Sequence, residues 1–264
     1  MSSTLYVDRP TPVHRLNPVT KLVALLSIIV VVFALPYWWV AAIVVGGVIV
    51  PAAAVSRCGG RLASISVKIL LPIVLVLVIV QGLTFPGGKS PVFEWGVFTV
   101  TSEGLLFALG IGSRIICLVL ASVLLVLTTH PGDLMGALTE RGMSPKFSYI
   151  ISSTLQLIPA FRDRADGILL AQQARGLAIS RNPFKRVGIM MPLIGPLVLG
   201  MFTDVEERST AMEARGFGST ARRTALIPVP DSLPQRIARW IMPLIALAAI
   251  VVPIVLPILT KAAL

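Results

Sequence analysis

The sequence predicts an all-α polytopic membrane protein with about five transmembrane helices plus long cytoplasmic helices, and three observations predict it. Of 264 residues, 55% are hydrophobic and 13% charged, and the mean hydropathy is +0.88, far from the mix of a water-soluble domain. The apolar residues fall in runs long enough to cross a hydrocarbon core about 30 Å thick, which takes roughly 20 helical residues. The formal net charge of +11 is gathered between alternate runs, which is the pattern of cytoplasmic loops rather than of a nucleic-acid surface.

The first run, 21–35, lacks the small-residue cleavage site of a secretory signal and is expected to be a retained helix. Runs 38–55, 66–85, 103–129 and 239–259 supply the other spans, separated by turns rich in Pro, Gly or charge. Tyr37, Trp38 and Trp39 mark one membrane surface and Trp240 marks another. With the N-terminus inside, Arg9, Arg15, Lys21, Arg57, Arg61 and Lys68 all face the cytoplasm. The opposite face keeps Lys89, Glu94 and Glu103, with 93–101 alternating enough for a short external hairpin. Lys261 and the C-terminus fall outside, so a multi-pass protein of the plasma (cytoplasmic) membrane is expected.

Residues 131–236 differ from their surroundings, because charges of both signs return together with helix-capping signals. The expected organisation is an N-terminal membrane domain over 1–130 with about four spans, a cytoplasmic domain over 131–236, and a C-terminal transmembrane helix over 237–264. Ser144-Pro145 opens a long helix with a kink expected at Pro159, and Gly176 closes it; Asn182-Pro183 opens another and Gly216 closes it. The apolar stretch 187–203, interrupted by Pro192, Gly195, Pro196 and Gly200, is read as a helix that dips into or packs beneath the membrane domain, since a full crossing would reverse the last span. Residues 226–234, with Pro228, Pro230 and Pro234, read as a linker.

An internal echo carries most of the functional information: Gln173-Ala174-Arg175-Gly176 and Glu213-Ala214-Arg215-Gly216 each close a helix of the cytoplasmic segment. In each copy Ala permits close approach, Gly turns the chain away, and Arg presents a fixed fork that pairs bidentately with a carboxylate. A basic residue near a helix C-terminus also complements the helix dipole, which is explanation enough for one copy. Two matched copies on a basic face favour docking onto another protein through Ala174, Arg175, Gly176, Ala214, Arg215 and Gly216.

With these motifs the chain resembles the T component, or CbiQ-like transmembrane subunit, of energy-coupling factor (ECF) transporters. The resemblance is carried by Ala171-Gln172-Gln173-Ala174-Arg175-Gly176 and Ala211-Met212-Glu213-Ala214-Arg215-Gly216-Phe217, by His14-Arg15-Leu16-Asn17-Pro18-Val19-Thr20-Lys21-Leu22 at the entry to the first span, and by Pro131-Gly132-Asp133-Leu134 after the fourth. It covers nearly the whole chain. It implies coupling helices whose motif arginines sit in grooves on two ABC ATPase subunits, and a separate small membrane subunit, the S component, that binds a vitamin or a cobalt or nickel ion and topples to release it. The mixed-charge run Arg162-Asp163-Arg164-Ala165-Asp166 departs from the mainly acidic stretch expected before the first motif.

Arg114 lies mid-span, where a charge costs about 2.5 to 3.5 kcal/mol on insertion scales, so it marks either a possible functional site, a tie to backbone carbonyls, or a side chain that snorkels. Gly87-Gly88-Lys89-Ser90 is not a phosphate loop, because Leu83 stands where the first glycine belongs. No cofactor is expected, ATP hydrolysis must come from partners, and no nucleic acid is bound. His14 and His130 make no metal motif, and Cys58 and Cys117 make no disulfide framework. Gly46-Gly47 and Gly110 to Gly112 read as close helix packing. The alternative is a self-contained secondary transporter or channel, which needs polar groups at mid-depth in several spans, where only Arg114 is found. An intramembrane enzyme has still less to work with.

Overall fold

The computed structural model describes residues 9, 11–35, 37–84, 91–95, 98–176, 183–219 and 230–262, with side chains in 9, 11–35, 37–82, 101–176, 193–219 and 230–253. Helices dominate, in the order α1 (Pro18–Ala34), α2 (Trp38–Val44), a π turn (Val45–Ile49), α3 (Val50–Val55), α4 (Gly59–Thr84), α5 (Ser102–Thr128), α6 (Pro131–Thr139), α7 (Pro145–Ala174), α8 (Pro183–Ala214) and α9 (Leu233–Ala262). Between α4 and α5 a two-stranded antiparallel hairpin pairs β1 (Pro91–Trp95) with β2 (Phe98–Thr101), in register at Trp95 with Phe98 and Glu94 with Thr99. The hairpin read from the sequence is thus present, starting slightly earlier than residue 93.

Contacts divide the chain into two compact units, Met1–Ala137 with Val229–Leu264, and Leu138–Pro228. Among the described residues of the first, four helices are long and apolar enough to cross a membrane: Trp38–Val55, Gly59–Gly82, Ser102–Thr128 and Leu233–Pro253. The 17 residues of α1 stand at the short end of the range of about 17 to 25 that spans a bilayer.

Two span boundaries differ from the sequence reading. The third span starts at Gly59 rather than 66, because the Leu62 N–H already donates to the Cys58 carbonyl at 2.8 Å. Its 26 residues measure about 39 Å, about 9 Å more than the hydrocarbon core, so the helix is long enough to carry Arg61, in its first turn, outside lipid. The last helix starts at Leu233 rather than 239, with Pro234 at a first-turn position where a missing N–H costs nothing. Arg239 Nη2 then donates to both Asp231 oxygens at 2.7 and 2.6 Å, just outside the helix start.

One end of this unit is tied together by polar contacts. Asn17 caps α1, its Oδ1 accepting from the Val19 N–H at 3.0 Å, while its own N–H donates to Gln235 Oε1 on α9 at 3.0 Å. Lys21 Nζ donates to the Thr128 carbonyl at 2.7 Å, satisfying one of the orphan carbonyls at the end of α5. Arg9 Nη1 donates to the Arg57 carbonyl just past α3 at 2.7 Å. The start of α1, the end of α3, the end of α5 and the start of α9 therefore share one end. This is the parity of the sequence topology.

The core of the unit is built from small and branched residues, Val32, Ala41, Ile49, Ala53, Leu62, Cys117, Ala121 and Leu127 among them. Gly112 is buried in α5, and a Cβ there would touch Leu77 at 3.5 Å. A Cβ on Gly46 or Gly47 would meet nothing within 4 Å. The packing role read for Gly46-Gly47 is corrected: they belong to the π turn, whose extra residue per turn suits a permissive backbone.

In the second unit α7 runs unbroken through Pro159, so the kink expected there does not interrupt the helix, and none of its residues is buried. The apolar stretch 187–203 belongs to one continuous helix, α8, in spite of its prolines and glycines.

Candidate functional site

Each Ala-Arg-Gly motif is a helix end with the same hydrogen-bond frame. At the end of α7 the Arg175 N–H donates to the Ala171 carbonyl at 3.2 Å, and the Gly176 N–H to the Gln173 carbonyl at 2.9 Å. At the end of α8 the Arg215 N–H donates to Ala211 at 3.2 Å, the Gly216 N–H to Glu213 at 2.9 Å, and the Phe217 N–H to Met212 at 2.9 Å. The last two bonds close a Schellman motif, and they leave the arginine as the last residue of the helical spiral. Gly176 has φ +95° and Gly216 φ +68°, the left-handed region that costs other residues about 1 to 2 kcal/mol. Nothing lies within 4 Å of a Cβ built on either glycine. Conformation, not crowding, requires glycine here.

Ala174, Arg175, Gly176, Ala214, Arg215 and Gly216 are all exposed. Neither guanidinium pairs with a carboxylate among the described residues. Such a tip can place one planar fork, with five donors, into a groove that offers a carboxylate.

A third copy of this frame escaped the sequence reading. At the end of α6, Gly142 has φ +101°, its N–H donates to the Thr139 carbonyl at 3.1 Å, and the Met143 N–H donates to Leu138 at 3.2 Å, with Arg141 between them. The Arg-Gly pair was legible in the sequence. Glu140 replaces the small alanine, however, and the helix has only nine residues.

The mixed-charge run before the first motif has a defined partner. Arg164 on α7 grips Asp204 on α8 with both arms of its fork, Nη1 to Oδ2 at 2.7 Å and Nη2 to Oδ1 at 3.0 Å. The hydrogen bond from Arg164 holds the Asp204 carboxyl below its ordinary value, and that same bond raises Arg164.

Arg114 is half-buried in α5, and its Nε is buried without a hydrogen-bond partner among the described residues. It is far along the chain from both motifs and belongs to the other compact unit. Among the described residues no group of three His, Cys, Asp or Glu side chains could hold a metal ion.

Comparison with known proteins follows the same lines. The family profile described as CbiQ, cobalt transport protein, matches residues 10–226, a range that contains both motifs and the Arg164–Asp204 pair. The chain is 30% identical over 263 residues to the energy-coupling factor transporter transmembrane protein EcfT of Limosilactobacillus fermentum, covering 95% of this chain and 97% of that protein. It is 30% identical to the EcfT of Acidaminococcus fermentans over 81% of this chain and 82% of that protein, and 30% identical to the EcfT of Bacillus subtilis over 83% and 85%.

Proposed function

This chain belongs to the CbiQ family and is the transmembrane component of an energy-coupling factor transporter, and from that premise we propose that its two Arg-Gly helix ends dock two ABC ATPase subunits. The observation that carries the reading is the pair of exposed guanidiniums presented in one and the same cap geometry at the ends of α7 and α8. On this reading residues 131–236 form the coupling domain between the spans of 1–130 and the last helix. ATP hydrolysis in the partners displaces α7 and α8, and the displacement is passed to a small membrane S component that carries a vitamin or a cobalt or nickel ion. The tied end of the membrane unit, with Arg9, Arg15, Lys21 and Arg57, faces the cytoplasm by the positive-inside tendency. This chain itself binds neither ATP nor cargo.

The test is co-purification of the tagged chain with candidate ABC ATPases of the same genome, for wild type and for Arg175→Glu with Arg215→Glu. Truncating or reversing a desolvated, hydrogen-bonded charge costs about 2 to 5 kcal/mol, or roughly 30-fold to several-thousand-fold in affinity. The ATPases are expected to follow the wild type and to be lost from the double variant while the membrane protein stays monodisperse. Absence of ATPase from the wild type, or equal retention by the variant, removes the docking reading and brings the self-contained transporter forward.

A further inference from the structure

The internal repeat extends beyond the motifs. Arg175 and Arg215 are forty residues apart, and so are Arg164 and Asp204. Each member of the ion pair stands eleven residues before its own motif arginine, about three helical turns, so pair and tip share one face of each helix at a distance of roughly 16 Å. α7 and α8 run antiparallel: Arg164 meets Asp204, while Tyr149, earlier in α7, packs tilted against Phe217, beyond the end of α8, with ring centroids 5.1 Å apart. When two copies of a repeat pair antiparallel, one position of the repeat faces its own equivalent, as on a local twofold axis. Here that position is occupied by Arg164 in one copy and Asp204 in the other. Identical residues would place like charges together, so the repeat has opposite charges at the one position where it meets itself.

The surroundings fit a built contact. Gly200 lies one turn before Asp204 on α8, and a Cβ there would stand 3.1 Å from Arg164 Nη1. The missing side chain leaves room for the guanidinium beside α8. The two-armed grip then restrains rotation as well as separation, which a point-charge pair would not.

We propose that Arg164 and Asp204 are the positioning pair of the two docking tips, an equal-armed pivot that sets the separation and the facing of Arg175 and Arg215. The proposal rests on the docking reading above. With equal arms in antiparallel helices the tips point to opposite ends, roughly 33 Å apart, and a rotation of about 10° at the pivot moves each by roughly 3 Å. Two partner subunits are thereby addressed together rather than one at a time.

The experiment places nitroxide labels at Leu170→Cys and Thr210→Cys in the full chain in lipid nanodiscs and measures their distance by pulsed EPR. Both sites are exposed and equivalent across the repeat, while the native Cys58 and Cys117 are buried. Wild type is expected to give one narrow distribution. Arg164→Asp or Asp204→Arg alone should broaden it, since each label stands six residues, about 9 Å along its helix, from the pair, and a rotation of about 10° moves it by roughly 1.6 Å. The double exchange Arg164→Asp with Asp204→Arg should restore it, and Arg164→Lys, which keeps the charge without the fork, should restore it only partly. Should a reversal fail to fold, Asp204→Asn removes the charge at constant size and is expected to broaden the distribution too. Unchanged distances in the single variants, or a double exchange that does not restore them, overturn the proposal. Failure of the docking reading is seen separately, as absence of ATPase from the wild-type chain whatever the label distances.

Discussion

A guanidinium inside a membrane span must be answered by something, and the Arg114 Nε has no hydrogen-bond partner among the described residues. In a subunit of a larger complex such an atom is open to a contact completed by another chain, or to a structural tie within the span. Arg114→Leu is expected to leave the purified protein at least as stable to heat while reducing co-purification of the S component; a lower melting temperature with undiminished association would instead mean an internal structural tie. At Asp204 the sign of the pH effect follows from its lowered value in the fold. The clamp between α7 and α8 is fully present above the ordinary carboxylate range near 4 and is lost as pH falls below it. The label distance across the two helices should therefore be constant from pH 8 to about 5 and broaden below about 4. Both side chains are 37% exposed, so high salt should broaden it at neutral pH as well. The partner of Arg164 was not legible in the sequence, since nothing in a mixed-charge run says which helix will lie forty residues away.

At the scale of elements, helix ends were the most legible features. Ser144-Pro145, Arg175-Gly176 and Arg215-Gly216 bound helices where their chemistry places them, because an αL glycine and a first-turn proline act within a few residues. Gly216→Ala is expected to raise the hydrogen-exchange rates of the amides of Gly216 and Phe217 about fivefold, the equivalent of about 1 kcal/mol at an αL position. The same substitution at the non-αL Gly195 should leave those amides unchanged. Starts of spans were less legible. Gly59 and Leu233 begin their helices six or seven residues before the apolar run does. The run records where lipid begins, whereas the helix continues into water for as long as its hydrogen bonds are satisfied.

For the whole molecule, the shared end of α1, α3, α5 and α9 is held by polar contacts, among which Lys21 donates to the carbonyls of His14 and Thr128. Lys21→Met leaves the Thr128 carbonyl without its ammonium and is expected to destabilise the detergent-solubilised chain by about 1 to 3 kcal/mol, measured as a lower melting temperature. Lys21→Arg should recover part of the loss. Membrane character, the relative direction of the long apolar helices and the repeated motifs were determined by the sequence alone, because hydropathy, charge bias and cap chemistry are local and survive without knowledge of neighbours. Only the tertiary structure decided that α7 and α8 pair antiparallel, that the repeat meets itself at Arg164 and Asp204, that Gly200 makes room for the guanidinium, and that the buried Arg114 Nε has no hydrogen-bond partner among the described residues. Each of these depends on which surfaces are brought together over long sequence separations, and a linear pattern of residue types does not contain that distance.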